Sequence, residues 1–309
     1  MSPATLRTAL ADYLAVRRAL GYKLTRAGLL LAQFVDYCEQ VGADRVTREV
    51  ALAWVTAPSK ASPSWLSFRL GVVRSFATWL QASDPATEIP HRGWLPPVRR
   101  PNPYLYSHDE IAALLEAARR ARWPLSAVTY ETLIGLLAVT GMRIGEAIRL
   151  DRADVSLTER LLTIRDSKNW NSRQLVLHPT TVEALRRYLL LRDRLSPTPG
   201  DPALFVHPAG NRIRYQSVQA MFRHLLQRAG ITRRSPACRP TIHSLRHTFA
   251  VNTLIGWHRA GLDLHAHLPL LATWLGHTDP KWSYWYLSAN PELLGLAGER
   301  LESYLGWHL

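Results

Sequence analysis

A phenol, several cations and two imidazoles stand out among the 309 residues of this chain as groups that could act together. The set comprises Arg143, Lys168, His243, Arg246, His277 and Tyr286. A phenol supplies an oxygen nucleophile for attack on a phosphodiester. Arginine and lysine neutralise the charge that builds on the phosphate oxygens in the transition state, and imidazoles move protons or donate hydrogen bonds. The residue types therefore favour phosphodiester chemistry.

The composition agrees with a nucleic-acid partner. The 38 lysines and arginines exceed the 24 acidic residues, for a net charge of +14, and a chain this basic most often binds a polyanion. Cys38 and Cys238 lie far apart, which argues against zinc and disulfide scaffolds and fits a reducing cytoplasm. No apolar run approaches about 18 residues, so we expect no membrane span.

The positioning elements begin with a predicted small helical domain, residues 1–83. Apolar residues recur there at helical spacing, as at Leu6, Leu10 and Leu14, and Gly21 ends the first helix. Residues 84–106 carry six prolines, which favour an extended connector over a helix. Three arginines of this connector could contact phosphates if it crosses DNA, with a plain solvated linker as the alternative; they are Arg92, Arg99 and Arg100.

A second domain, residues 107–309, is predicted to hold the chemistry. Ser107 and Glu110 form a capping box before an apolar run. Helices are predicted along most of this domain, with short strands near Val155, 161–164 and 174–177. The whole chain is therefore expected to be mainly α with a small β insert, and its second domain to be α+β.

Two of the chemical residues fall at element ends. Gly141 is expected to break one helix and Arg143 to begin the next, where it can bind phosphate and pair with Glu146 three residues on. Lys168 lies between two predicted strands, at a hairpin tip from which it could act as a general acid toward a leaving oxygen. The ordinary alternatives are a surface Arg–Glu pair and a solvated turn.

His243 and Arg246 are three residues apart, so a helix presents both from one face. His243 and His247 could instead form a metal pair, and a second conceivable metal set is His265, His267 and Asp279. Neither has a carboxylate ligand at a familiar spacing, so no metal site is predicted. His277 follows Gly276, a predicted helix C-cap.

Together these segments resemble one family, the tyrosine recombinases or phage-type integrases. The family pattern is an arginine in a TGxRxxE-like box, a hairpin lysine, an HxxR box, an LGH box and a tyrosine nine residues later. The matching positions are Arg143 with Glu146, Lys168 with the flanking Arg173, His243 with Arg246, His277 and Tyr286. Order and spacing agree over residues 107–305, and residues 3–82 resemble the family's core-binding domain in layout.

The resemblance implies DNA strand exchange through a covalent 3′-phosphotyrosyl intermediate, without a metal, ATP or another cofactor. Tyr286 would be the nucleophile, since its spacing from His277 fits the family better than that of Tyr284. Arg143 and Arg246 would hold the phosphate, Lys168 would protonate the leaving 5′ oxygen, and His243 and His277 would assist. Arg173 joins the connector arginines as an expected DNA contact. The run from Trp285 to Leu294 is similar to recombinases of transposable elements.

The resemblance also implies double-stranded DNA as partner, a dimer on each core site, and a tetramer at synapsis in which the helix near 291–305 docks on a neighbour. Accessory DNA-bending or partner recombinase proteins and a cytoplasmic, nucleoid-associated location are further expectations. Three alternatives stay open: a non-catalytic DNA-binding protein on the same fold, a metal-dependent nuclease, and a type IB-like enzyme that relaxes supercoils.

Overall fold

The structure, a computed structural model, describes residues 5–97, 102–165, 172–196, 201–277, 279, 281–288 and 295. The chain divides into two compact units, Met1–Arg100 and Pro101–Leu309. The assignment of residues 84–106 to a linker stays a prediction. Within the described part of the chain, no helix is long and apolar enough to cross a lipid bilayer.

The first unit contains the helices α1 (Leu6–Ala19), α2 (Thr25–Gln40), α3 (Arg48–Thr56) and α4 (Pro63–Leu80). The side chains of Thr5, Thr47 and Ser62 accept hydrogen bonds from main-chain N–H groups at the starts of α1, α3 and α4. These caps satisfy donors that a helix start leaves without an intrahelical partner. The local sequence thus determines where these three helices begin.

Aromatic side chains fill the core of the first unit. Phe34 and Phe76 are fully buried, and Phe34 meets Trp54 edge-on with ring centroids 5.2 Å apart. The buried guanidinium of Arg69 lies 3.5 Å from the centre of the Trp54 ring, where a cation–π interaction offsets part of the loss of hydration. The apolar stripes of the sequence therefore meet in one helical core.

The second unit contains α5 (His108–Arg119), α6 (Pro124–Thr140), α7 (Ile144–Arg149), α8 (Pro179–Leu195), α9 (Tyr215–Arg228), α10 (Ser244–Arg259), α11 (Leu264–Leu275) and α12 (Lys281–Ser288). A three-stranded antiparallel sheet of order β1-β2-β3 interrupts them, with β1 at Val155–Ser156, β2 at Leu161–Ile164 and β3 at Arg173–Val176. The mainly helical fold with a small β insert is confirmed. The predicted helix near 291–305 lies outside the described residues, apart from Gly295.

The register of the β-hairpin places one cation at the start of β3, at the end of the hairpin where the chain passes from β2 to β3. Leu161 pairs with Val176, and Ile164 pairs with Arg173, so Arg173 begins β3 one residue earlier than the sequence analysis expects. Leu162 and Leu175 also pair and are fully buried. The alternation of buried residues anchors the strands and thereby sets where the side chain of Arg173 leaves the sheet.

The core of the second unit surrounds α6. This helix is apolar on all sides and largely buried, as expected of a helix enclosed by others, and it packs against α5, α8 and α10. The capping box of Ser107 and Glu110 is present at the start of α5. Gly141 ends α6 with a φ of 62°, a left-handed conformation that disfavours any residue with a side chain.

Candidate active site

The turn after α6 brings the first arginine box against α10. A Cβ atom at Gly141 would collide with the ring of Phe249 on α10, so glycine is required here both for its positive φ and for the close approach. Arg143 follows as the N-cap residue of α7. The predicted helix break therefore positions Arg143 beside the segment that carries Arg246.

Arg246 is buried, with 2% of its surface exposed. One η nitrogen donates to the carbonyl of Gly141 and the other to that of Leu275, each at 2.8 Å. Burial, followed by the charge of Arg143, lowers the pKa of Arg246 to about 10. The guanidinium still carries its positive charge at neutral pH.

Arg143 is held by α7 and by the end of α11. Its main-chain N–H donates to Glu146 at 2.9 Å, and its Nη1 donates to the same carboxylate at 2.8 Å. Nη2 donates to the carbonyl of Gly276 at 3.1 Å. The predicted Arg143–Glu146 pair is thus present, with a contact to α11 that sequence spacing does not indicate.

Glu146 is buried and is the carboxylate on which two arginines converge. Its oxygens accept from the main chain and side chain of Arg143 and from both η nitrogens of Arg173, at 3.2 and 2.9 Å. Burial acts to raise the pKa of Glu146, but the hydrogen bonds and charge of Arg173, with those of Arg143, lower it below its ordinary value. The carboxylate is therefore ionised at neutral pH.

The structure places Arg173 away from the exposed position expected of a DNA contact. Only 10% of its side chain is exposed. Its Nε donates to the carbonyl of Trp274 at 2.8 Å, while its η nitrogens hold Glu146. Burial and these bonds engage all three nitrogens within the protein, and contact of Arg173 with DNA stays a prediction.

His277 lies just beyond the end of α11. Gly276 caps that helix in the left-handed conformation, with φ 67°, as predicted. The Nδ1 atom of His277 lies 2.8 Å from the hydroxyl of Ser283, a fully buried residue of α12. Loss of hydration, and then the charges of Arg246, Arg143 and Arg173, lower the pKa of His277 to about 4. At neutral pH this imidazole is uncharged.

The HxxR box and the residue that follows it contribute a pair of imidazoles. The rings of His243 and His247 are nearly perpendicular, with centroids 4.7 Å apart, and the ring of His247 lies 5.7 Å from that of Tyr286. Loss of hydration, together with the charges of Arg246 and Arg143, lowers the pKa of His243. Within the described residues, no group of three or more His, Cys, Asp or Glu is arranged to hold a metal ion.

The two tyrosines of α12 differ sharply in their surroundings. Tyr286 is 3% exposed and Tyr284 is 46% exposed. The ring of Tyr286 is nearly parallel to that of His277, at 6.2 Å between centroids. Burial raises the pKa of Tyr286, while the charge and hydrogen bonding of Arg246 and the charge of Arg143 oppose that rise. Tyr286, not Tyr284, is therefore the tyrosine beside the arginines.

Four predicted residues are not among the groups described above. Lys168, Arg99 and Arg100 fall outside the described residues. Arg92 is exposed on a short 3₁₀ helix, where it lines a groove with Arg74 of α4.

The sequence analysis missed Trp274. Its Nε1 donates to the carbonyl of Thr140 at 2.9 Å, and its ring stacks on that of Phe249. A tryptophan directly before the Leu-Gly-His box was the available signal, although an aromatic residue in an apolar helix usually indicates only core packing. Trp274 ties α11 to the end of α6, the turn that leads to Arg143.

Comparison with known proteins shows the family to which the chain belongs. The model of the phage integrase family matches residues 105–292. The relative y4rB of Sinorhizobium fredii, named as an integrase/recombinase, is 40% identical over 305 residues, which cover 96% of this chain and 97% of the relative. Tyrosine recombinase XerC of Mycobacterium sp. strain JLS is 30% identical over 284 residues, which cover 86% of this chain and 88% of the relative.

Solved structures show the same fold. The XerA recombinase is 25% identical with a TM-score of 0.52, over 98% of this chain and 99% of that one. The integrase of transposon Tn1549, in complex with transposon right-end DNA, is 17% identical with a TM-score of 0.69, over 96% and 99%. This chain therefore belongs to the phage integrase family. It is a site-specific DNA recombinase of the tyrosine type, an enzyme that breaks and rejoins DNA strands.

Proposed function

We propose that this recombinase breaks DNA through a covalent 3′-phosphotyrosyl intermediate on Tyr286. The phenol oxygen bonds to the scissile phosphorus, the bond from phosphorus to the 5′ oxygen breaks, and the phenol proton is released. The tyrosyl ester replaces one phosphate ester by another, so rejoining is the reverse step with a 5′-hydroxyl of a second strand. The observation that carries the proposal is the position of the Tyr286 phenol beside Arg246 and Arg143.

Arg143 and Arg246 hold the non-bridging oxygens of the scissile phosphate. A guanidinium has five N–H donors, and the main-chain carbonyls at the ends of α6 and α11 engage only some of those on each arginine. The carbonyls hold both cations in place before the phosphate arrives. Donors fixed in this way need no reorganisation as charge develops on phosphorus, which makes them effective in the transition state.

Three further groups handle protons. Lys168 protonates the leaving 5′ oxygen, a role that rests on its match to the family's hairpin lysine. His277 is neutral at pH 7, with a pKa of about 4, so it can accept the phenol proton or donate a hydrogen bond to the phosphate. His243 assists from the N-cap position of α10. Attack also requires the buried phenol of Tyr286 to become accessible, which a shift of α12 would provide.

The partner is double-stranded DNA. The net charge of +14 supports binding to a polyanion, and structural relatives include a lambda integrase dimer bound to a core site. We extend this to two protomers on each core site and four at synapsis, with accessory DNA-bending or partner recombinase proteins as further components. The site of action is the nucleoid in the cytoplasm.

Trapping the covalent adduct tests the mechanism. The full chain is incubated with its own flanking DNA carrying a nick near the cleavage point, so that the 5′ fragment diffuses away, and adducts are resolved on denaturing gels. We expect an adduct with wild-type protein, none with Tyr286→Phe, and retained DNA binding by that variant, because the substitution removes one oxygen and keeps the ring.

Tyr284→Phe is the matched control, since it makes the same change two residues away on an exposed ring. It should form the adduct, and peptide mapping should find DNA on Tyr286. An adduct that persists in Tyr286→Phe, or a DNA-linked peptide modified at Tyr284, would overturn the assignment. Relaxation of supercoiled DNA without a partner site would favour the type IB-like alternative.

A further inference from the structure

Arg173 is a buried cation whose hydrogen bonds all serve the protein. It bridges two elements of the second unit. Its two η nitrogens donate to the carboxylate of Glu146 on α7, and its Nε donates to the carbonyl of Trp274 on α11. A contact to DNA phosphate would require it to leave Glu146, a buried carboxylate. Breaking a buried ion pair in this way is strongly unfavourable.

The end of α11 is a meeting point for three arginines. Three successive carbonyls, those of Trp274, Leu275 and Gly276, lie there, and the last carbonyls of a helix have no intrahelical partner. Arg173 takes the first of them, Arg246 the second and Arg143 the third. The negative end of the helix dipole favours cations at this position. His277 is the next residue in the chain, so whatever holds these carbonyls also sets the direction in which His277 leaves the helix.

The sequence permits the close approach of Arg173 to the main chain at the end of α11, because residue 276 is glycine. A Cβ atom at Gly276 would lie 2.5 Å from its Nη1 atom, a distance at which the guanidinium would have to move. The absence of a side chain at Gly276 therefore makes room for Arg173 as well as for the left-handed cap. The steric fit is a second consequence of this placement of Arg173, beside the hydrogen bonds.

We infer that Arg173 is a positioning residue that clamps the end of α11 to Glu146 and so sets the geometry of Arg143 and His277. The inference rests on the proposed function, since it takes those two residues to act on the scissile phosphate. Arg173 also begins β3, five residues after Lys168 in the sequence. The clamp therefore connects the described end of the hairpin to the site without contacting DNA.

The test compares Arg173→Gln and Arg173→Lys with wild-type protein in three measurements: adduct formation on the nicked DNA, DNA affinity, and the NMR titration of the His277 ring. We expect Arg173→Gln to slow adduct formation on the order of 10- to 100-fold and to leave DNA affinity within about twofold, because no DNA contact is lost. Arg173→Lys should recover the rate only in part, since an ammonium cannot span Glu146 and the Trp274 carbonyl at once.

The titration separates positioning from a general loss of stability. The groups that act on the His277 ring are Arg246, Arg143, Arg173 and Glu146, with Ser283 as its hydrogen-bond partner. Removal of one of three cations should raise the pKa of His277 and move the acid limb of the cleavage profile to higher pH. The matched control is Arg192→Gln, which removes a buried arginine of α8 bonded to Asp193 and the Ala203 carbonyl. It should lower stability without changing the His277 titration or the cleavage rate of folded protein.

The outcomes are distinct. Loss of DNA affinity in Arg173→Gln with an unchanged His277 titration would make Arg173 a DNA contact and overturn the inference, as would a wild-type cleavage rate. If Arg173→Gln does not fold, Arg173→Lys decides by the same measurements. If wild-type protein forms no adduct, the proposed function fails, whereas the His277 titration, recorded without DNA, still tests the clamp.

Discussion

Arg246 combines two demands that a single lysine cannot meet. It joins the Gly141 and Leu275 carbonyls, which belong to different helices, and it lies beside the Tyr286 phenol. Its planar fork of donors can satisfy the carbonyls in two directions and still present N–H groups to a phosphate. The same guanidinium therefore both joins the ends of two helices and offers donors to a phosphate.

Replacement of Arg246 should affect cleavage far more than binding. We expect Arg246→Ala to slow adduct formation by about 100-fold or more, because the charge it meets grows in the transition state, and Arg246→Lys to recover little of that loss. Rates and DNA affinities are measured on samples shown to be folded by their thermal unfolding. Near wild-type cleavage by both variants would mean that the phosphate binds elsewhere.

His277 should make stability depend on pH. Its pKa is lowered from 6.5 to about 4 in the folded chain, so between these values the unfolded chain binds more protons. The free energy of unfolding should therefore fall as pH decreases from about 6.5 toward about 4, by at most about 1.4 kcal/mol per pH unit for this one group. Below about 4 both states are protonated, and this contribution to the loss levels off.

The comparison of His277→Asn with wild-type protein in urea unfolding across this range checks the prediction. The variant should show a shallower pH dependence, because the titrating ring is gone. Parallel pH profiles for wild-type protein and His277→Asn would contradict the assigned shift.

At the scale of the elements, the end of α11 organises the site. Helix ends normally find water, capping groups or a following turn for their last carbonyls. Here arginines from α10, β3 and the start of α7 take that place. The end of α11 is thus bonded to α10, to β3 and to the start of α7. A small change at Gly276, the cap of α11, should therefore shift the arginines on all three elements.

Gly276→Ala should disturb the site more than the same change at Gly230. Both glycines have a φ of 67°, but a Cβ atom at Gly230 meets nothing within 4 Å, whereas one at Gly276 meets Arg173. Gly230→Ala should cost only the strain of the left-handed conformation, about 1–2 kcal/mol. We expect Gly276→Ala to lose more stability and also to slow adduct formation. Equal effects of the two changes on both measurements would argue against a close contact at Gly276.

At the scale of the whole molecule, the net charge of +14 is the dominant property. DNA affinity should fall steeply with salt, because each neutralised phosphate releases counterions. If Arg92 is one of the contacts, Arg92→Gln should reduce the slope of log affinity against log salt by about one. Arg45→Gln, at an exposed arginine paired with Asp44, should leave it unchanged. Tight binding that ignores salt would contradict recognition dominated by the DNA backbone.

The sequence by itself determined the family, the order of the chemical residues and most element boundaries. These depend on short-range rules: arginine, histidine and tyrosine boxes at fixed spacings, a capping box at Ser107, and glycine stops at Gly141 and Gly276. These patterns involve residues within one or two helical turns of one another, so they can be recognised without knowledge of the tertiary structure. The same rules predicted the sheet from its apolar alternation, to within one residue at β3.

Only the tertiary structure decided which groups meet. Arg143 and the Gly276 carbonyl are 133 residues apart in the chain, and Arg246 and the Gly141 carbonyl are 105 apart. The partner of Arg173 and the burial of Tyr286 rather than Tyr284 also follow from helix packing. An arginine has the same residue type whether it faces DNA or a buried carboxylate, and its surroundings are created only when distant helices pack together.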